Sequence, residues 1–137
     1  MTRATVIIFL CLLVTSLYAH TPTHGSKKNS SVADPAYSSA LAAANRFLHA
    51  WQNQDHETGI IMLTDSARQQ TSPELLQAFF SPSSQAAYEI AHGKRMKTGE
   101  YVFPAVLFGA SSVPRPRYCT IIMIRSGKDD WAVDKLP

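Results

Sequence analysis

The chain opens on an unbroken apolar run, Val6 to Val14 (VIIFLCLLV), behind Met-Thr-Arg and ahead of Thr15-Ser16-Leu17-Tyr18-Ala19. One positive charge, a short apolar stretch and a small residue in that order predict an export signal at residues 1–19, cut after Ala19. An uncleaved N-terminal anchor is the competing reading, but the run falls short of the about 20 apolar residues that span a bilayer. Residues 20–33 (HTPTHGSKKNSSVA) carry almost nothing that could be buried and predict a flexible polar leader. The remaining chain, 34–137, predicts one domain.

That domain begins with helical periodicity. Asp34-Pro35 supplies a cap and a first-turn proline. Leu41, Ala44, Leu48 and Trp51 then recur at steps of three and four, with Ala40 and Phe47 beside them, which predicts a helix to about Gln52. Asp55 predicts the cap of a second helix containing Ile60 to Leu63, weakened by Gly59, and Asp65 then falls in a loop. Ser72-Pro73-Glu74 repeats the cap-then-proline signal, with Leu75, Leu76, Phe79 and Phe80 as the expected buried face. From Ala87 the period changes to two. Strands are expected over 87–96, 101–108, 117–125 and 130–136, joined by turns at 97–100 and 126–129 and a loop at 109–116. Arg117 to Arg125 (RYCTIIMIR) is the most apolar and so the central one, while Pro104 marks an edge or a bulge. Helices first and strands second predict an α+β domain: N-terminal helices packed on a curved antiparallel sheet of about four strands.

Cysteine and charge narrow the chemistry. Cys11 leaves with the signal, so Cys119 stands alone and no disulfide forms within the domain. In YCTIIMI it reads as a small buried hydrophobe rather than a nucleophile. The formal charge of +3 falls to +2 once Arg3 is removed, too weak to argue for nucleic acid. His20 and His24 could suggest a metal site, but histidines in such a polar tract read as solvated; His49 and His56 are seven apart across a helix break, and no phosphate loop or nucleophile elbow occurs, so no metal or cofactor is implied. Asn29-Ser30-Ser31 matches a glycosylation acceptor, of consequence only in a eukaryotic secretory pathway.

Three stretches carry a resemblance: the opening helix AAANRFLHAW (42–51), the Asp55 that follows it, and the last strand DWAVDKL (130–136). In this order they resemble the nuclear-transport-factor-2-like superfamily, the cone-shaped fold shared with ketosteroid isomerase, in the guise of a small exported bacterial member. The resemblance covers about 34–137. It implies the cone-like fold and leaves function open, since these domains host isomerases, dehydratases, ligand binders and partner-binding modules. The enzymes among them place a general-base carboxylate and a proton-donating Tyr or acid deep in the cone.

Against that expectation the candidate catalytic residues are Glu89, His92 and Tyr101, and they matter only if they converge in a closed cavity. A ligand pocket between the first helix and the sheet would be lined by Trp51, Tyr88, Tyr118 and Trp131, together with Tyr101 and Phe103; plain core packing is the competing reading. Lys94, Arg95, Lys97, Arg115 and Arg117 would cluster at one end of a meander and hold an anion or an acidic partner, unless they merely protect a sheet edge. Three readings follow. The first is an exported, non-catalytic domain that binds a small apolar ligand or an envelope protein. The second is an isomerase- or dehydratase-like enzyme with a buried carboxylate. The third is a structural interaction module, whose signature is an exposed apolar sheet face.

Overall fold

The computed structural model describes residues 34–137; the signal and leader expectations fall on 1–33 and lie outside the described residues. Helix α1 (Pro35–Gln52) starts where Asp34 accepts the Ala36 N–H at 3.0 Å and where Pro35 needs no partner. It ends at Asn53, whose N–H returns to the His49 carbonyl, and Gln54 turns the chain with φ of 59°. Asp55 caps α2 (His56–Ile61) through Thr58 N–H. Ser72 caps α4 (Pro73–Phe79) in the same way.

Between these lies a helix where a loop is expected. Helix α3 (Asp65–Gln70) has Asp65 as its first residue, because Thr64 accepts the Ala67 N–H at 3.0 Å. Only Ala67 is buried in it, so no apolar stripe announces it. The expected buried face of α4 is also corrected. Phe79 and Phe80 enter the core, but Leu75 is 60% exposed.

The sheet has strands β1 (Ala87–Ile90), β2 (Lys94–Lys97), β3 (Glu100–Phe108), β4 (Arg117–Arg125) and β5 (Trp131–Val133). All pair antiparallel in the order β1-β3-β4-β5, with β2 on the same side of β3 as β1. The single strand expected over 87–96 is thus two. The break at 91–93 has a cause in Pro104. Its carbonyl accepts from Ala91 N–H at 2.9 Å, so its nitrogen faces the same neighbour and has no hydrogen to give. Pro104 is therefore tolerated within an interior strand, where an edge position was expected, because the facing chain stops pairing beside it. Gly93 sits buried in that break. A Cβ there would lie 2.3 Å from Phe103 Cδ1 and 2.7 Å from the Val102 carbonyl oxygen, which leaves room for glycine alone.

The sheet curls around α1. Its inner face carries Tyr101, Phe103, Leu107, Ile121, Met123 and Val133, all buried against Ala40, Ala44, Phe47, Leu48 and Trp51. Fully burying side chains of this size is worth about 1.5–3 kcal/mol each. The free edge of β5 is covered, since Val133 exchanges hydrogen bonds with Met62 and Thr64 at 2.8 and 2.9 Å.

Replacing Gly93 with Ala is expected to lower stability by about 1–3 kcal/mol, because the added methyl meets a backbone oxygen that cannot turn away. Urea unfolding measures it, and a midpoint equal to that of the parent would contradict the packing.

Candidate functional site

The space between α1 and the sheet is filled. Trp51 is fully buried, and Trp131 and Tyr101 nearly so. Tyr101 meets Trp131 edge to face at 5.4 Å, and Trp51 lies 6.3 Å from Phe79. The indole N–H groups of Trp51 and Trp131 find no acceptor among the described residues. Such an orphan donor costs about 1–3 kcal/mol. Tyr88 is half-buried and donates to the Asn45 carbonyl at 3.2 Å, which ties β1 to α1; burial raises its pKa. Tyr118 is 79% exposed on the opposite face of the sheet. Of the four expected pocket residues, the two tryptophans are core, one tyrosine is a tie and one faces outward.

The catalytic candidates separate as well. Glu89 is exposed on the outer side of β1. His92 and Tyr101 approach the same place, around a residue the sequence reading passed over. The Tyr37 ring lies tilted against His92 at 5.3 Å and meets Tyr101 edge to face at 5.7 Å. Its hydroxyl lies 3.1 Å from His92 Nδ1 and accepts the Gly93 N–H at 3.2 Å. Its place four residues before Leu41, on the same helical stripe, was the available signal. The carboxylate that does meet Tyr101 is Asp34, which accepts its hydroxyl. Asp34 is exposed, and the hydrogen bond from Tyr101 is the first cause holding its carboxyl below the ordinary value. A buried general base needs the opposite shift. The contact joins the cap of α1 to β3.

The basic residues do not gather. Lys94 pairs opposite Val102 and Lys97 opposite Glu100, whereas Arg117 pairs opposite Leu107 at the other end of β3. Five residues of strand, about 17 Å, divide the two groups. Lys97 is engaged by Glu100 at 2.9 Å, which raises its pKa. Cys119 is half-buried and burial pushes its thiol up, away from the reactive thiolate.

Several concavities among the described residues combine apolar side chains with charge, and one is framed by α3, α4, the start of β4 and the segment beyond β5. It lies at the mouth of the curled sheet, with a volume of about 440 Å³. Helices α3 and α4 give Ala67, Leu75, Ala78 and Phe79 as one wall. Arg117 opens β4 on the other, with Asp134, Lys135 and Leu136 beyond β5. Arg117 donates to the Pro137 carbonyl at 2.8 Å, which holds its guanidinium at the rim. Asp134 lies 3.4 Å from the Thr64 hydroxyl. Two cationic residues and one acidic residue thus line the wall opposite the apolar helices. Of these residues Leu75, Phe79 and Arg117 drew notice singly in the sequence and Asp134 to Leu136 only as the end of the last expected strand, none as part of a common site. They come from four separated stretches, so no local pattern could assemble them.

The Asp34–Tyr101 tie generates a pH signature at both ends. Asp34 has a folded pKa below its ordinary 3.8, so its contribution is present above that value and is lost as pH falls through the lower folded one. Tyr101 is raised above 10.0, mainly by Asp34, so its contribution is present below 10.0 and is lost as pH rises through the folded value. Tyr101→Phe removes both. The stability gap between parent and variant, followed by urea unfolding against pH, is expected to be widest near neutrality and to narrow at both extremes. A gap independent of pH contradicts the tie.

No protein-family model matches the chain, and no curated protein matches it in sequence. Among solved structures, it is similar to a ketosteroid isomerase-like protein from Erwinia carotovora atroseptica SCRI1043. The TM-score is 0.52 at 16% identity, over 72% of this chain and 91% of that one. At that identity the likeness speaks for architecture alone. Helices followed by a curled antiparallel sheet, and this match, give the chain the cone-shaped fold of the nuclear-transport-factor-2-like and ketosteroid-isomerase-like proteins.

Proposed function

We propose that this is an exported, non-catalytic domain that binds a small amphiphilic anion in the cleft at the mouth of the cone. The observation that carries this reading is the composition of that cleft: about 440 Å³, walled by Ala67, Leu75, Ala78, Phe79 and Leu136, with Arg117 at its rim. The volume lies within the about 300–1,000 Å³ of typical ligand sites. Apolar walls accept a hydrocarbon or ring, and a guanidinium held by the Pro137 carbonyl keeps further N–H donors for a carboxylate or sulfonate. Lys135 adds positive potential, and Asp134 discriminates against dianions by repulsion.

The enzymatic alternative, suggested by the name of the similar structure, needs a carboxylate made more basic by burial beside a proton donor. Here Glu89 is exposed away from Tyr101, and Asp34 is a cap with a lowered pKa. The reading as a binder is the one these placements support.

Isothermal titration with a medium-chain fatty acid and the matching neutral alcohol tests the proposal. The acid is expected to bind more tightly than the alcohol. Arg117→Gln should weaken the acid by about tenfold or more and leave the alcohol unchanged, since a hydrogen bond to a charged group is worth about 1.5–3 kcal/mol. Ala78→Trp, at an exposed position on the cleft wall, should abolish both. Binding that Ala78→Trp leaves intact places the ligand elsewhere.

Export has its own test. Mass spectrometry of the protein recovered outside the cytoplasm is expected to read His20 as the first residue, and an intact Met1 would overturn it.

A further inference from the structure

Helix α1 gives one side to the core. Ala40, Ala44, Phe47, Leu48 and Trp51 are buried there, while Ser39, Ala42, Ala43 and Arg46 share the flank turned away from it. Steps of three and four relate these four residues, so they form one stripe about 10 Å long. Ala42 and Arg46 are exposed, and Ser39 and Ala43 are half-buried. Three of the four are small, and the turn between β4 and β5 runs beside them. A cleft of about 290 Å³ is left between helix and turn. It has no lining residue in common with the cleft at the mouth of the cone.

The turn brings charge to the other wall, where Asp129 and Asp130 stand beside Trp131. Two contacts fix their place. The Ser126 N–H donates to the Asp130 carbonyl at 2.9 Å, which closes the turn, and Trp131 is anchored in the core against Tyr101. Arg125 and Lys128 adjoin the turn in sequence, and Arg125 lies 5.4 Å from the Trp131 ring, but neither lines the cleft.

Both signs of charge are therefore present, and the fold uses neither. The ion pairs among the described residues are Arg68 with Asp65 and Lys97 with Glu100, which leaves Arg46, Asp129 and Asp130 without a charged partner. An arginine and two aspartates that line one cleft without reaching each other leave a gap that a ligand carrying both charges bridges. A ligand of a single sign meets repulsion at one wall. Trp131 adds a second unmet group. It is 95% buried, and its indole N–H finds no acceptor among the described residues, a cost that an acceptor brought to this wall relieves.

We propose that this cleft binds a small zwitterion of the amino-acid or dipeptide class, with its carboxylate on Arg46 and its ammonium on Asp129 and Asp130. Size agrees. The volume stands at the lower bound of the about 300–1,000 Å³ of typical ligand sites, which suits a molecule of few heavy atoms. The Ser39 hydroxyl supplies a donor and an acceptor for the uncharged middle of such a ligand. The proposal is independent of the anion proposed for the mouth of the cone.

Nuclear magnetic resonance of the protein purified from the full-length sequence tests it, because the chain has two tryptophans and only Trp131 lines this cleft. L-alanyl-L-alanine is the probe, with its C-terminal amide and its N-acetyl derivative as forms that each lack one charge. The dipeptide is expected to shift the Trp131 indole N–H signal saturably and to leave that of Trp51 in place. Each one-charge form should bind about tenfold more weakly or worse. Arg46→Gln should remove the preference for the dipeptide over its amide, and Asp129→Asn/Asp130→Asn the preference over the N-acetyl form, all at exposed positions that the fold does not need. Ala42→Phe, also at an exposed position, should abolish binding by filling the cleft. A titration that leaves the Trp131 signal unmoved overturns the proposal, as does binding that survives Ala42→Phe. Equal affinity for all three probes overturns the pairing of charges.

Discussion

Helix α1 lying in the curl of the sheet is the contact on which the other features depend. Its alanines at 40 and 44 let the helix approach the strands closely, and Phe47, Leu48 and Trp51 then fill the space that the curl opens. With Cys119 alone among the described residues, no crosslink shares the load, so cohesion rests on this packing and on the ties at its ends. The ties are few and local: Asp34 to Tyr101 at the start of the helix, Tyr88 to the Asn45 carbonyl midway, and Gln52 to the Ala86 carbonyl at its end. Each fixes the helix along its axis, where apolar contact alone is permissive.

Filling the cone has a functional consequence. A cone-shaped domain can keep its interior for a ligand or spend it on a core. Here the aromatic residues that would line an interior site are packed against one another, and the indole N–H groups of Trp51 and Trp131 find no acceptor among the described residues. Interior polar groups of the sort that orient a substrate are correspondingly scarce, since no polar or charged residue among those described is buried. One of the remaining concavities lies between α3, α4 and the segment beyond β5. At 16% identity, likeness of fold to a ketosteroid isomerase-like protein speaks for the architecture alone.

The sequence was informative where one local interaction decides the structure. Asp34, Asp55 and Ser72 each announce a helix because a side-chain oxygen satisfies an N–H that nothing else can reach. Thr64 does the same for α3, but Ala67 alone gives that helix a buried residue, and a cap without a stripe reads as a turn. The 87–96 segment shows the complementary limit. Its own residues alternate as one strand should, and what divides it is Pro104 on the neighbouring strand together with the space Phe103 takes beside Gly93. The mark such an interruption leaves in the segment itself is a single glycine, Gly93. The mouth cleft is a stronger case of the same limit, because its residues acquire a common meaning only after the curl has brought the start of β4 to α4.

The near-continuous apolar character of RYCTIIMIR reads at first as the mark of a central strand, and β4 is indeed interior to the sheet. Interior position in the hydrogen-bonded order explains only half of it, though. A strand between two neighbours has its backbone satisfied, but each of its faces is a separate question. Ile121 and Met123 answer for the inner face by packing on α1. Ile122 and Ile124 cannot be accounted for by that helix, since alternation turns them away from it. Cross-strand packing within the sheet half-buries them, Ile122 beside Val102, which rewards them in part. Residues of this kind at this density carry a cost in solubility unless something shields them.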